Sequence, residues 1–322
     1  MKRIGIGLSD FKELIEEDFY YFDKTKFIDE IVKDGAKVKL FARPRRFGKT
    51  LNMSMLKYFF DIKEAEENRK LFKDLYIEKT ENFKEQGQYP VVFLSLKDLK
   101  ARTWEEMERG IKNLLQEVFS EHKYLIKELD EFDLSILKKI INKEVELEGL
   151  KSSLKFLTKI LYEKYNKKVV VLIDEYDAPL VSAYHNKYYE KAKDFFKTFY
   201  SSVLKDNVYL QMGVMTGIIR VIKAGIFSDL NNLNTYTILS DFYPNCYGLT
   251  EEEVKKALID YNLEYEMGDV KDWYDGYRFG DSEVYNPWSI LNFLQDKELR
   301  AYWVDTSGND LINDVLKKIT KD

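Results

Sequence analysis

The stretch Arg43-Pro44-Arg45-Arg46-Phe47-Gly48-Lys49-Thr50 decides how this chain folds. It ends like a phosphate-binding loop, G-x-x-x-x-G-K-[ST]. In that loop backbone N–H groups cradle phosphates, the lysine reaches the β/γ-phosphates and the Ser/Thr hydroxyl ligates Mg2+. Arg43 stands where the first glycine is expected. The geometry needs a strand feeding the loop and a helix leaving it. Val38-Lys39-Leu40-Phe41-Ala42 is a short, mostly apolar run suited to a strand, and Asn52 to Phe60 sets Met53, Leu56, Phe59 and Phe60 at helical spacing. Lys49 and Thr50 then open a helix whose first N–H groups and dipole face an anion. The cofactor-binding set on this reading is Arg43, Pro44, Arg45, Arg46, Phe47, Gly48, Lys49, Thr50 and Leu51.

A nucleotide site also needs carboxylates, and Lys168-Val169-Val170-Val171-Leu172-Ile173-Asp174-Glu175 supplies two. The Val-rich apolar run reads as a strand buried on both faces of a parallel sheet. Its acidic pair falls at the carboxyl end, where ligands bind in open α/β sheets. Asp174 is placed to hold Mg2+ opposite Thr50, and Glu175 to polarise the attacking water as general base. Between Lys49 and Asp174 there is room for a whole strand and several helices. That separation fits the larger division of P-loop folds, in which another strand lies between the two motif-bearing strands. In such folds the strand after the acidic one presents a polar residue to the γ-phosphate. Thr216, ending the run Val208 to Met215, has that place, and Arg220 follows where it can contact phosphate or a neighbour's site in a homo-oligomer. A Thr ending a strand at a glycine turn, and an arginine on the surface, are the plain alternatives.

Composition narrows the classes. The 322 residues suit about two domains. At 45% hydrophobic, 33% charged and 15% aromatic residues the chain is globular, not disordered. A formal net charge of −5 gives no support to a broadly basic nucleic-acid-binding surface. One cysteine, Cys246, and two histidines, His122 and His185, poorly supply a structural zinc site or a Ser-His-Asp triad. Met1-Lys2-Arg3-Ile4-Gly5 leads into acidic sequence with no long apolar core, and no run approaches a membrane span. A cytoplasmic protein is the expectation.

Along the chain, a lead-in carries Phe11, Leu14 and Ile15 at helical spacing behind Ser9 as cap, then Tyr20-Tyr21-Phe22, then a second amphipathic helix through Phe27, Ile28, Ile31 and Val32. The three aromatics pass over a nucleotide base or simply belong to the core. Pro90 to Leu96 is another buried strand, and helices run from about Trp104 to Glu121, Leu150 to Tyr165 and Tyr189 to Leu204. Residues 125–148 read as charged and mobile, and Tyr236 to Leu239 as a fifth strand. Strands alternating with helices give an α/β fold, a three-layer P-loop NTPase with a mainly parallel sheet. Beyond residue 240 a capping box at Thr250-Glu251-Glu252-Glu253 starts a helix, and Trp273, Tyr277 and Trp288 are expected to build a small second core. The division expected is an N-terminal helical lead-in over 1–36, a P-loop core over 37–245, and a small, mainly helical domain over 246–322, winged-helix-like in one form of it.

Several segments in the same order carry a family resemblance. They are Phe11 after Ser9-Asp10, Tyr21 to Thr25, Arg43 to Thr50, Leu172 to Asp177, Thr216-Gly217-Ile218, Ser228 to Leu233, Trp273 to Gly280, Tyr285 to Ser289, and Tyr302 to Asn309. In these the chain resembles the predicted AAA-ATPase-like family of bacterial proteins, related to the STAND and archaeal ATPase groups and often fused to a C-terminal PD-(D/E)XK nuclease-like domain. Arginine in the first glycine position belongs to the family pattern. The resemblance implies a P-loop ATPase, and the residue reading gives ATP and Mg2+ as its ligands, with Lys49, Glu175, Thr216 and Arg220 as catalytic candidates and Thr50 and Asp174 on the metal. The nuclease-like portion would follow the last of these segments, and no separate nuclease core is expected in the few residues beyond it. Two other functions stay open: a nucleotide-gated switch or scaffold with little hydrolysis, and a metal-dependent nucleic-acid-processing enzyme using Asp174, Glu175 and Asp177.

Overall fold

The computed structural model describes residues 1–218, 227, 230–265 and 267–303. Helices α1 (Phe11–Glu16) and α2 (Lys26–Lys33) precede β1 (Val38–Ala42), which passes through the arginine loop into α3 (Lys49–Phe60). After α4 (Ala65–Arg69) and short 3-10 turns come β2 (Val91–Ser95), α5 (Trp104–Ser120), α6 (Glu131–Ile141) and α7 (Leu147–Tyr165). Then follow β3 (Val169–Asp174), α8 (Ala178–His185), α9 (Tyr189–Leu204), β4 (Leu210–Gly217) and β5 (Leu233–Tyr236). Last are α10 (Glu251–Asp260), α11 (Met267–Tyr274), the hairpin strands β6 (Tyr277–Phe279) and β7 (Ser282–Val284), and α12 (Pro287–Asp296).

The five-stranded sheet has the order β2-β3-β4-β1-β5, and every neighbouring pair is parallel. β4 therefore lies between the two motif-bearing strands, the arrangement that the sequence spacing favours. Every residue of β1 and β3 is buried, because helices cover both faces. Alternation sorts the side chains: Val38, Leu40, Val171 and Ile173 meet the faces of α5, α7 and α9, while Phe41, Val170 and Leu172 meet Met53, Leu56 and Phe59 of α3 and Phe27 and Ile28 of α2. The result is three layers.

The structure corrects several expectations. Asp10, not Ser9, caps α1, its side chain accepting from the Glu13 N–H. The stretch read as mobile contains α6: Asp130 accepts from the Asp133 N–H, and Leu137 and Ile140 are buried between α5 and α7. Its lysines sit on the outer face and obscured the apolar stripe. β5 occupies Leu233–Tyr236, where it pairs with Val38–Phe41, and the chain then turns through a Thr237 N–H to Ser240 Oγ bond of 3.0 Å. Ile238 and Leu239, expected in the strand, lie outside it, and Leu239 is 84% exposed.

A third apolar cluster, from Leu249, Val254, Leu258, Tyr261, Tyr274, Tyr285, Ile290 and Phe293, holds the C-terminal helices together. Trp273, expected in it, is 47% exposed because helical spacing turns Tyr274 inward instead. Tyr20 and Phe22 pack against this cluster while Tyr21 between them packs against the α3 side of the sheet, the alternation of an extended chain wedged between two cores.

One buried histidine has a consequence for stability. His122, just past the end of α5, is buried, and that burial, with Lys63 and Lys57 nearby, lowers its pKa to about 4. The unfolded chain takes up this proton near the ordinary value of 6.5 and the folded chain only near 4. Stability is thus intact above about 6.5 and falls as pH drops toward 4, by about 3 kcal/mol from this group. Denaturant titrations of wild type and His122→Asn should lose their stability difference across that window. Parallel pH profiles would exclude the role.

Candidate functional site

The carboxyl ends of the parallel strands bring the predicted residues together. Register sets Ile173 beside Met215 and Phe41 beside Thr216, so one residue further Asp174 reaches the Thr216 side chain. The Thr216 hydroxyl donates to Asp174 Oδ1, and the Thr50 hydroxyl, from the first turn of α3, donates to Asp174 Oδ2 at 2.7 Å. One fully buried carboxylate thus joins the phosphate-type loop, β3 and β4. Thr216 Oγ1 also accepts from the Glu175 N–H at 3.3 Å.

Glu175 sits in the left-handed region at φ 53°, which turns its half-buried side chain away from the line of the strand. Burial first, then the Asp174 charge, raises its carboxyl pKa above the ordinary value. Behind it the strand end is braced. The Tyr176 N–H donates to Thr216 O at 2.9 Å, and Tyr200 Oη donates to Tyr176 O at 2.7 Å. Asp177 Oδ2 accepts from the Ile218 N–H at 2.8 Å. Gly217 fits here because a Cβ would come within 2.5 Å of the Tyr176 ring. The three carboxylates thus have different neighbours: Asp174 the two threonine hydroxyls, Asp177 the Ile218 N–H, and Glu175 the charges of Asp174, Lys49 and Asp177.

Gly48 caps α3 at φ 73°, a conformation that suits glycine, and the helix starts with its amides facing the loop. The buried Lys49 ammonium donates to the Arg43 carbonyl at 3.1 Å and the Pro44 carbonyl at 2.7 Å. Its pKa is lowered by burial, with the Glu175 and Asp174 carboxylates acting the other way.

Three other side chains of the loop, Arg43, Arg46 and Phe47, turn toward C-terminal elements. Arg43 is fully buried, its guanidinium donating to Tyr236 O at 2.8 Å and Ala42 O at 3.1 Å between the rings of Tyr247 and Phe279 at 5.2 and 5.1 Å. Its Nε and second terminal nitrogen have no hydrogen-bond partner among the described residues, and burial lowers its pKa. Arg46, at φ 68°, lays its guanidinium 4.4 Å over the Trp288 ring. Phe47 is buried against Tyr277 and Phe279. Arg45 is exposed, and Pro44 and Leu51 are half-buried. Arg220 lies outside the described residues, as do Ser228, Asp229 and Val304 to Asn309. Sequence reasoning did not find the anchoring roles of Tyr236, Tyr247, Phe279 and Trp288, which sit far along the chain with no local signal linking them to the loop.

Among the described residues no group of three or more His, Cys, Asp or Glu side chains is arranged for a metal, and no helix is long and apolar enough to cross a membrane. The chain is 26% identical over 317 residues to the "Uncharacterized protein in vnfD 5'region" of Azotobacter chroococcum mcd 1. That alignment covers 98% of this chain and 56% of the relative, so the chain spans little more than half of that protein's length. A family model described as "Predicted AAA-ATPase" matches residues 5–227, covering α1 through β4 with the loop, both acidic residues and Thr216. By that match the chain belongs to the AAA-ATPase-like family.

Proposed function

We propose that the chain binds Mg-ATP at residues 43–51 and hydrolyses it, with 37–245 as the ATPase core and 246–322 as a smaller appended domain. The observation that carries this reading is the 2.7 Å Thr50–Asp174 bond, which joins a phosphate-type loop to the acidic strand end. The donor set fits the ligands: a threonine hydroxyl and a carboxylate are hard oxygens, and Mg2+ uses few protein ligands beside phosphates and water. The Lys49 ammonium, now on two loop carbonyls, is a cation able to exchange them for phosphate oxygens. Bound Mg2+ would supply neutralisation of the phosphate charge. Asp174 fixes Thr50 and Thr216 relative to each other, α3 presents its N–H groups, and Glu175 takes the proton of the attacking water. The raised pKa of Glu175 makes it a better proton acceptor than an exposed carboxylate.

Calorimetric titration of Mg-ATP should give saturable binding to wild type and affinity roughly 10- to 100-fold weaker for Lys49→Ala, the loss of one charge-assisted contact. Equal affinity in both proteins would move the site elsewhere. The retracted Lys49 also favours a second reading, a nucleotide-gated switch with slow turnover. Rapid multiple turnover in a phosphate-release assay would exclude it.

A further inference from the structure

The Arg43, Arg46 and Phe47 side chains of the loop face the C-terminal elements. Arg46 lies on Trp288 at the first turn of α12, and Phe47 contacts Tyr277 and Phe279 of β6. Phe47 also closes against Gly248, where a Cβ would come within 3.2 Å of its ring. Asn52, one turn into α3, donates to Cys246 O at 2.9 Å. Loop and C-terminal elements thus share a packed surface, and packed surfaces shift between discrete arrangements more readily than they deform. On the inner side, the Lys49 ammonium closes the same loop on itself through Arg43 O and Pro44 O. A phosphate that draws the ammonium toward itself weakens or breaks those carbonyl bonds. Pro44, Arg45, Arg46 and Phe47 lie on the only covalent path between them and Gly48.

We propose that Arg46 and Phe47 are positioning residues that couple the phosphate-binding conformation of the loop to the placement of Trp288 and the β6–β7 hairpin, so that these C-terminal elements read out nucleotide occupancy. The proposal rests on the nucleotide reading of the loop. Coupling is reciprocal: whatever the nucleotide does to the Trp288 contact, loosening that contact does to nucleotide affinity by the same factor. The ligand class is a nucleoside polyphosphate with Mg2+, because the moving group is an ammonium that exchanges carbonyl for phosphate oxygens.

Four tryptophans are present, and Trp104→Phe, Trp273→Phe and Trp303→Phe leave Trp288 as the reporter in the full chain. Its emission should shift on titration with Mg-ATP or Mg-ADP, with the midpoint matching the heat of binding. Phe47→Ala in that background should abolish most of the shift and change affinity roughly tenfold, and Phe47→Leu should restore both. A melting transition checks that each variant is folded, and hydrogen exchange of residues 277–290 with and without Mg-ADP supplies a readout in unsubstituted protein. Normal binding heat with unchanged emission and exchange would overturn the coupling and leave the nucleotide site standing. Absence of binding heat in wild type would overturn the nucleotide reading, and the coupling with it.

Discussion

Glu175→Gln is expected to lower steady-state phosphate release by roughly 100- to 10,000-fold, the usual range for loss of a general base, while Mg-ATP binding stays nearly unchanged. The substitution keeps the size of the side chain and its backbone bond to Thr216 Oγ1, so the left-handed turn at 175 and the Asp174 hydroxyl pair remain in place. Only the proposed proton acceptor is removed. Burial and the neighbouring Asp174 hold the Glu175 carboxyl above its ordinary pKa, which adds a pH signature. Below that raised pKa the carboxyl is protonated and cannot act as base, so the acidic limb of kcat for wild type should sit above the usual carboxylate range. The residual rate of the variant should lack that limb. Turnover equal to wild type, or the same acidic limb in both, would remove Glu175 from the proton-accepting role.

Arg43→Gly, which writes the ordinary loop residue back into the chain, is expected to destabilise the fold by about 3 kcal/mol. The Arg43 side chain fills a site between Tyr247 and Phe279 and holds the end of β5 through Tyr236 O. Glycine leaves that volume empty, strands the Tyr236 carbonyl and adds backbone freedom to the unfolded chain. One effect opposes this. A buried guanidinium with no carboxylate partner and two nitrogens unbonded among the described residues carries a desolvation cost that the variant relieves. The two can be separated by Arg43→Met, which keeps volume and removes charge and should stay within about 1.5 kcal/mol of wild type. Denaturant unfolding decides: a glycine variant as stable as wild type would end the view of Arg43 as a wedge. A methionine variant as damaged as the glycine one would shift the weight from packing to the hydrogen bond at Tyr236.

What could be read from the sequence follows the range of the physics involved. β1 and β3 were legible because strands covered on both faces must be continuously apolar, and α3 because its buried face repeats at helical spacing. Thr216 was legible through topology: a strand inserted beside the acidic one has to end near it. α6 was missed because Glu131, Asp133, Lys138 and Lys139 dominate a short helix whose buried face is only Asp133, Leu137 and Ile140. The outward turn of Arg43, Arg46 and Phe47 was not legible at all. A loop motif describes backbone and lysine, whereas the direction of the intervening side chains depends on elements some two hundred residues later, such as Tyr236, 193 residues from Arg43.

The extended Tyr20-Tyr21-Phe22 segment carries a consequence for how the chain is made. Tyr20 Oη donates to Asp260 across 240 residues at 2.7 Å, Tyr261 Oη reaches back to the Lys2 carbonyl at 2.7 Å, and Lys24 meets Glu253 at 2.6 Å. During synthesis residues 20–24 emerge before residues 253–261 and acquire these partners only when the later stretch has been made. Closing so long a loop costs entropy before any of its contacts form. Tyr20 and Phe22 therefore wait without their cover until that later stretch is made, and docking of this segment joins distant parts of the described fold in time as well as in space.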